Sequence, residues 1–490
     1  MRQSHQLGHG AASARDAGPY VRGQAVAIRD FVELLDPYRG ELVARIAIST
    51  AKEVTEAVEA ATDAQPLIAA MPVHERAAVL RRAAELVASR TEQYAATITR
   101  QTGKAFKNTM REVGRAAWTM RAAATAAETH FGRVMVPDVA PDGEGILAVT
   151  IWQPVGVVAA ITPFNAPFNL VVHKIAPAFA AGNAIVVKPA TQAPLSALDI
   201  AALLEEAGAP PGAVNVIPGN RDTVAALLAN PAVGMYTLTG SRAAGEAIVR
   251  GAGLRRIVLE LGGNSPNIVH HDADLDRAAE ACVRGGFANT GQSCNSVQRI
   301  IVHRSVAREF TDRVVDLAAR LVVGDPMAPA TDVGTLVDED AAIRIESWIG
   351  QAASRGARVL TGGVRSAAQL EPTVVTDAPL DAPLVCEEVF GPVVVLLAYD
   401  DIDEAVELAN ATPYGLQAAV FTESIDVALR VARDVRAGGV LVNRSTNYRM
   451  DHLPYGGVKD SGIGREGPMQ AIEEMSEMKL VVLGANRDSG

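Results

Sequence analysis

The feature that most constrains this chain is a strict alternation running from about residue 155 to residue 261. Short apolar runs rich in β-branched residues, at 155–161, 184–188, 214–217, 235–238 and 256–261, are separated by stretches with helical spacing. Those helical stretches fall at 166–181, 193–207, 221–229 and 242–251. Strands that alternate with helices must run parallel, because each helix carries the chain back across the sheet. The pattern therefore predicts a doubly wound parallel sheet, with ligands beyond the carboxyl ends of its strands.

Before this region, 51–64, 73–100 and 106–129 read as helices built from Ala, Glu and Arg at helical spacing. A polar hairpin-like stretch at 137–145 precedes a strand at 146–152. After residue 262 a second α/β region follows, with strands near 299–302, 358–360, 393–397, 418–421 and 439–442. A last strand falls at 478–483. At 490 residues the chain is too long for one ordinary core, and two or three domains are expected. Residues 1–20 lack an apolar export core and read as a flexible polar tail, so a cytoplasmic location is expected.

Charge narrows the function. Lys and Arg total 45 against 56 Asp and Glu, a formal net charge of −11. Neither nucleic acid nor an anionic membrane is an expected partner of such a chain. No apolar stretch approaches the roughly 18 residues of a membrane span. Three cysteines, Cys282, Cys294 and Cys386, are too few for a disulfide framework and suit one reactive thiol. Cys282 and Cys386 read as structural. No metal site is expected.

Polar residues that packing does not require gather at three strand-to-loop junctions. The first is Thr162-Pro163-Phe164-Asn165-Ala166-Pro167-Phe168-Asn169. The second is Glu260-Leu261-Gly262-Gly263-Asn264, where an acid closes an apolar strand. The third is Phe287-Ala288-Asn289-Thr290-Gly291-Gln292-Ser293-Cys294. With Lys188-Pro189, Gly240-Ser241, Glu387-Glu388-Val389-Phe390-Gly391-Pro392, Pro454-Tyr455-Gly456-Gly457 and Ser461-Gly462, the chain resembles the aldehyde dehydrogenase superfamily from about residue 25 to 484. Within it, the pattern is nearest the lactaldehyde, phosphonoacetaldehyde and sulfolactaldehyde dehydrogenases.

The resemblance implies an α/β fold with a doubly wound cofactor domain (21–131 and 153–259), a second α/β catalytic domain (260–465) and a small β oligomerisation element (132–152 and 466–490). It implies a homodimer or homotetramer. It implies NAD(P)-dependent oxidation of an aldehyde, with Cys294 as nucleophile, Asn165 and the Cys294 N–H as oxyanion donors, and Glu260 activating the water that hydrolyses a thioester. A thiolate suits attack on a carbonyl, and preorganised donors suit the oxyanion that results.

For the cofactor the resemblance implies Thr162, Pro163, Lys188, Thr191, Gly219, Gly240, Ser241, Leu261, Glu388 and Phe390. NAD is the expected cofactor. Many NAD-specific relatives carry Glu where this chain has Thr191, and a neutral Thr leaves the 2′-phosphate of NADP admissible. The stretch Gly219-Asn220-Arg221 also lacks the usual second glycine.

The expected substrate is a short, polar aldehyde, with anionic ones among the candidates. Arg115, Asn169, His173, Arg444 and Arg449 are the residues expected to meet it, with Arg111 four positions before Arg115 on one helix. Two other readings keep the fold. One releases the thioester to coenzyme A, although such relatives usually lack the acid found at Glu260. The other uses the scaffold without catalysis.

Overall fold

The computed structural model describes residues 14–26 and 30–484. The predicted alternation folds as an eight-stranded sheet. Its parallel strands lie in the spatial order Arg256–Glu260, Val233–Thr239, Val157–Ile161, Ala184–Lys188, Val214–Val216. The chain starts in the middle at Val157–Ile161, moves outward one way through Val214–Val216, then crosses to the other side. That reversal opens a crevice at the carboxyl ends, where Thr162, Lys188, Gly240 and Glu260 emerge.

A second sheet has seven strands, in the order Arg358–Thr361, Thr373–Thr376, Val393–Tyr399, Arg299–His303, Pro266–Val269, Gln417–Phe421, Gly439–Val442. Only Arg358–Thr361 runs antiparallel to its neighbour. Separate apolar cores cover its two faces, as a sheet with helices on both sides requires. Pro266–Val269 escapes the sequence pattern because it opens on Pro and Asn, residues depleted in strands, and Thr373–Thr376 is not anticipated either. A third sheet joins Ser476–Leu483, Leu147–Pro154 and Val134–Met135.

Several expectations need correction. The flexible tail does not extend to residue 20: Arg15–Ala17 pair in parallel with Leu42–Ala47, and Tyr20 donates from its hydroxyl to Glu205 at 2.6 Å. Residues 1–13 of that expected tail lie outside the described residues. The helix expected over 73–100 is two helices, Val73–Ser89 and Thr91–Thr102. Ser89 and Thr91 hydroxyls at the break donate to the carbonyls of Leu86 and of Val87 and Ala88, competing with the helical ladder.

The domain limits also shift. Gly462–Ile463, expected within the catalytic domain, pairs with Arg256–Glu260 in the first sheet. Helix Pro468–Glu474, expected in the association element, packs on helices Asn169–Ala181 and Phe106–Thr129.

Candidate active site

Helix Leu275–Phe287 leads directly into the loop that carries Cys294. Asn289, Thr290 and Gly291 then adopt left-handed backbone in succession, with φ of 54°, 56° and 70°. Two non-glycine residues in that region are held against their preference, which happens where surrounding contacts over-determine the chain. The contacts are visible. Asn289 donates from Nδ2 to the carbonyls of Asn165 and Gln292, both at 2.9 Å. A Cβ on Gly291 would lie 2.0 Å from the carbonyl oxygen of Gly391, and one on Gly263 would lie 2.2 Å from that of Cys294. Backbone from two other segments therefore passes against this loop too closely for any side chain.

Asn289 thereby ties the Cys294 loop to the Asn165 loop, which has its own support. The helix beyond it begins at Asn169, later than expected, and has no local side-chain cap. Instead Glu112, reaching in from helix Phe106–Thr129, accepts the N–H groups of Phe168 at 2.8 Å and Asn169 at 3.3 Å. A carboxylate suits the positive end of a helix. The other Glu112 oxygen accepts from Lys104 at 2.6 Å, and Lys104 also donates to the Asn165 carbonyl at 3.2 Å. All three residues are buried. The Asn165 carboxamide is left without a hydrogen bond among the described residues, its Oδ1 buried. The backbone N–H of Cys294 likewise meets no acceptor among them. Two polar groups thus stay available beside the thiol.

Glu260 closes its strand with a side chain only 2% exposed, and both carboxylate oxygens lack a hydrogen-bond partner. Burial pushes its carboxyl well above the usual range, and the nearby Glu466 carboxylate adds to the rise. A Cβ on Gly456 would come within 2.8 Å of Glu260 Oε1, so that glycine leaves the carboxyl its space. Glu466 behaves oppositely. It accepts from Lys174 at 2.5 Å, from Arg449 at 3.1 Å and from Thr239 at 3.1 Å. Although burial would raise it, Lys174 and Arg449 hold it far below the carboxylate range. Cys294 is half-buried, with Sγ 3.2 Å from the Tyr455 hydroxyl, and burial pushes its thiol up to about 12.

Most of the expected cofactor residues stand at the carboxyl edge of the first sheet, whereas Glu388 and Phe390 come from the segment before Val393–Tyr399 of the second. Burial lowers the Lys188 ammonium to about 8, and no carboxylate among the described residues pairs with it. Thr162 Oγ1 is buried and unpartnered. Thr191 donates to the carbonyl of Gly219 at 3.0 Å, which joins two of the expected positions. Gly240 donates to the Glu260 carbonyl at 2.9 Å, and Ser241 caps helix Arg242–Ala252. Glu388 accepts the Gly263 N–H at 3.0 Å, and burial raises it to about 7. Phe390 has φ 52° and sets its ring edge-on to Phe164 at 5.8 Å. Leu261 is buried, with its N–H bonded to Ser461, and Pro163 lies beside Thr162 on the same edge. A Lys188 ammonium and a Thr162 hydroxyl without partners among the described residues, with Glu388 brought in from the second sheet's segment to the Gly263 N–H, fit a hydroxyl- and phosphate-bearing dinucleotide.

Next to these loops lies a cavity of about 520 Å³ whose wall includes Arg111, Arg115, Arg277, Arg284, Arg444 and Arg449, with Glu280 as its one carboxylate. Asn169 and His173 are not among the residues of its wall. Both are buried, and both bond Asp451 Oδ1, Asn169 from Nδ2 at 3.2 Å and His173 through Nε2 at 3.0 Å. Arg115 adds a bidentate pair to the same carboxylate, at 2.9 and 2.7 Å. Burial opposes ionisation of Asp451, yet these donors hold it well below the usual range. Among the cysteines, Cys282 is buried in its helix, whereas Cys386 ends the short helix Pro383–Cys386 partly exposed.

A family model described as the aldehyde dehydrogenase family matches residues 24–481. The chain belongs to the aldehyde dehydrogenase family. It is accordingly an enzyme that oxidises aldehydes. It is 44% identical to a 3-sulfolactaldehyde dehydrogenase of Priestia aryabhattai, over 95% of this chain and 98% of that one. Aldehyde dehydrogenase 21 of Physcomitrella patens, solved with its reaction product succinate, superposes with a TM-score of 0.95 at 36% identity, covering 97% of this chain and 100% of that one. A glyceraldehyde-3-phosphate dehydrogenase of Methanocaldococcus jannaschii, complexed with NADP, gives 0.90 at 36% identity, with 93% and 100% covered.

The sequence reading of this aldehyde dehydrogenase missed Lys104, Glu112, Lys174, Tyr455, Asp451 and Glu466 as parts of the site, and Arg277 and Arg284 as parts of the cavity. The last two had a usable signal. They lie seven apart on an amphipathic helix that ends just before the cysteine loop, so they share a face.

Two outcomes follow for the enzyme. Lys104→Met leaves Glu112 ionised and buried without its cation, which costs about 3–5 kcal/mol. Chemical denaturation should show that loss, and whatever folds should lose kcat more than KM because the Asn165 loop is released. Glu260→Gln should stabilise the fold, and more so as pH rises. The raised folded-state pKa means the wild-type contribution is full below the ordinary glutamate range and is lost as pH climbs through the folded value. Thermal melts at acidic and alkaline pH check the sign, and a variant destabilised at high pH would contradict it.

Proposed function

We propose that this enzyme oxidises a small anionic aldehyde to its carboxylate with NAD, or NADP, as hydride acceptor. The cavity wall carries the substrate class: of its six arginines, Arg115 and Arg449 pair with Asp451 and Glu466, but Arg111, Arg277, Arg284 and Arg444 meet no carboxylate partner among the described residues, in a chain of net charge −11. Charge of one sign lining a low-dielectric cleft focuses the field and draws in ligands of the opposite sign. The 3-sulfolactaldehyde, succinate and glyceraldehyde-3-phosphate in the relatives' names are consistent with an anionic group on the substrate. Arg444 and Arg449 stand on the loop between the second sheet and Tyr455, and Arg115 on the facing helix, so the anion would meet them together. Asn169 and His173 would act through Asp451, which aims Arg115.

In the proposed sequence Cys294 attacks the carbonyl carbon, and the Asn165 carboxamide with the Cys294 N–H holds the oxyanion of the thiohemiacetal. A nicotinamide dinucleotide, when bound, would supply the hydride acceptor for oxidation of this adduct to a thioester. Lys188, Thr191, Gly219, Ser241 and Glu388 would hold its ribose and phosphate groups, with Thr162, Pro163, Gly240, Leu261 and Phe390 shaping the cleft. Glu260 then takes a proton from the water that attacks the thioester, releasing the carboxylate and the thiol. A carboxyl raised by burial is a stronger base when ionised, which suits this step. Glu260 also weighs against transfer to coenzyme A.

The third sheet would serve as the association element of a homodimer or homotetramer. Its outer strand leaves one edge unpaired and exposes Met478, Leu480 and Val482, a combination that favours pairing with another chain.

Steady-state rates with NAD and NADP across sulfo-, phospho- and carboxy-aldehydes, lactaldehyde and propanal test the reading. Anionic aldehydes should give kcat/KM at least about ten-fold above propanal, without coenzyme A, and only their values should fall as salt is added. Arg284→Ala and Arg444→Ala should lower kcat/KM for the anions alone. Equal values for propanal and the anions, or a requirement for coenzyme A, would sink it.

A further inference from the structure

Among the described residues, the hydrogen-bond partner of Cys294 Sγ is a phenol: the Tyr455 hydroxyl, at 3.2 Å. The ring is buried, and the backbone fixes its place. The Tyr455 N–H donates to the Glu466 carbonyl at 2.9 Å, and the Glu466 N–H returns the bond at 2.6 Å. The Arg449 guanidinium lies over the ring face, 3.9 Å from its centroid, and is itself held by the Glu466 carboxylate. So a cation, an aromatic ring, a hydroxyl and the thiol stand in a row.

We propose that Tyr455 is a catalytic residue whose hydroxyl donates to the Cys294 thiolate and stabilises it, with Arg449 as the positioning residue that strengthens this donor through the ring. The proposal rests on Cys294 being the nucleophile. In the neutral pair either group can donate to the other. On ionisation the proton leaves sulfur for water, and the phenol O–H turns to donate to sulfur. Tyr455 keeps its own proton throughout, since burial and the adjacent sulfur place its ionisation well above the ordinary phenol range. It is a donor here and not a base.

The charges around the thiol make such a donor useful. Burial, Glu388 and Glu260 disfavour the thiolate, and Arg449 and the hydroxyl oppose them. Arg449 is also largely committed to Glu466. A hydrogen bond to an ionised group is about twice as strong as a neutral one, so removing it should shift the balance by a measurable factor.

Tyr455→Phe isolates the effect, because it keeps the ring against Arg449 and removes one oxygen. The test uses the full-length, cofactor-free protein in a Cys386→Ser background, with iodoacetamide as probe and modification at Cys294 mapped by mass spectrometry. Below the titration midpoint, Tyr455→Phe should react about ten-fold more slowly than wild type, the two rates converging above it. Thiolate absorbance, with Cys294→Ser subtracted, should place the midpoint about one pH unit higher. Turnover of the variant at neutral pH should fall through kcat with KM little changed, and should recover in alkali. An unshifted midpoint would overturn the proposal, whether or not alkylation slows, since packing alone would then explain the tyrosine. That failure is separable from failure of the nucleophile assignment, which would show instead as turnover retained by Cys294→Ser.

Discussion

The buried group formed by Lys174, Glu466 and Arg449 holds together segments that belong to different parts of the chain. Lys174 comes from the helix behind the Asn165 loop, Arg449 from the loop after the second sheet, and Glu466 from the segment that returns to the first. Each charge taken singly would be costly to bury, and removing one partner of such a group costs about 3–5 kcal/mol. Their mutual compensation lets the 449–466 segment lie flat against the thiol and brings Tyr455 and Gly456 into place. A second buried pair, Lys104 with Glu112, does the same for the Asn165 loop. The loops around Cys294 are thus fixed by buried ion pairs together with the Asn289 hydrogen bonds and the Tyr455–Glu466 backbone pair.

That arrangement also separates the roles of neighbouring carboxylates. Glu466 and Asp451 are surrounded by cations and stay ionised, whereas Glu260 has no partner and is pushed the other way. Two environments a few side chains apart therefore separate carboxylates held ionised from one pushed toward the protonated form, a contrast that suits the acid–base role proposed for Glu260. The unsatisfied oxygens of Glu260 are a cost to stability, of the kind tolerated where function requires it.

Much of the fold was legible because parallel α/β structure writes itself into alternation: Ala184–Lys188 and Arg256–Glu260 stand where the apolar runs placed them. The central strand Pro266–Val269 was not legible, since it opens on Pro and Asn, residues depleted in strands. Cys294, Glu260 and Asn165 stood out because each breaks a packing pattern at a strand or helix boundary, and family resemblance then supplied roles. Lys104, Lys174 and Glu466 did not stand out. Lys174 and Glu466 are 292 positions apart and Lys104 is only 8 from Glu112, but each alone looks like a surface charge. His173 shows the converse: helical spacing placed it correctly on one face with Asn169, but only the fold shows that the face meets Asp451 and not the cavity.

The central claim is that Cys294 carries the acyl group and that Glu260 is needed to release it. Intact-protein mass spectrometry of Glu260→Gln, mixed with an anionic aldehyde and NAD or NADP, tests this most directly. The account predicts one stoichiometric acyl adduct, mapped to Cys294, that accumulates within a single turnover and decays slowly. A variant that turns over at the wild-type rate with no adduct, or an adduct on Cys282 or Cys386, would contradict it.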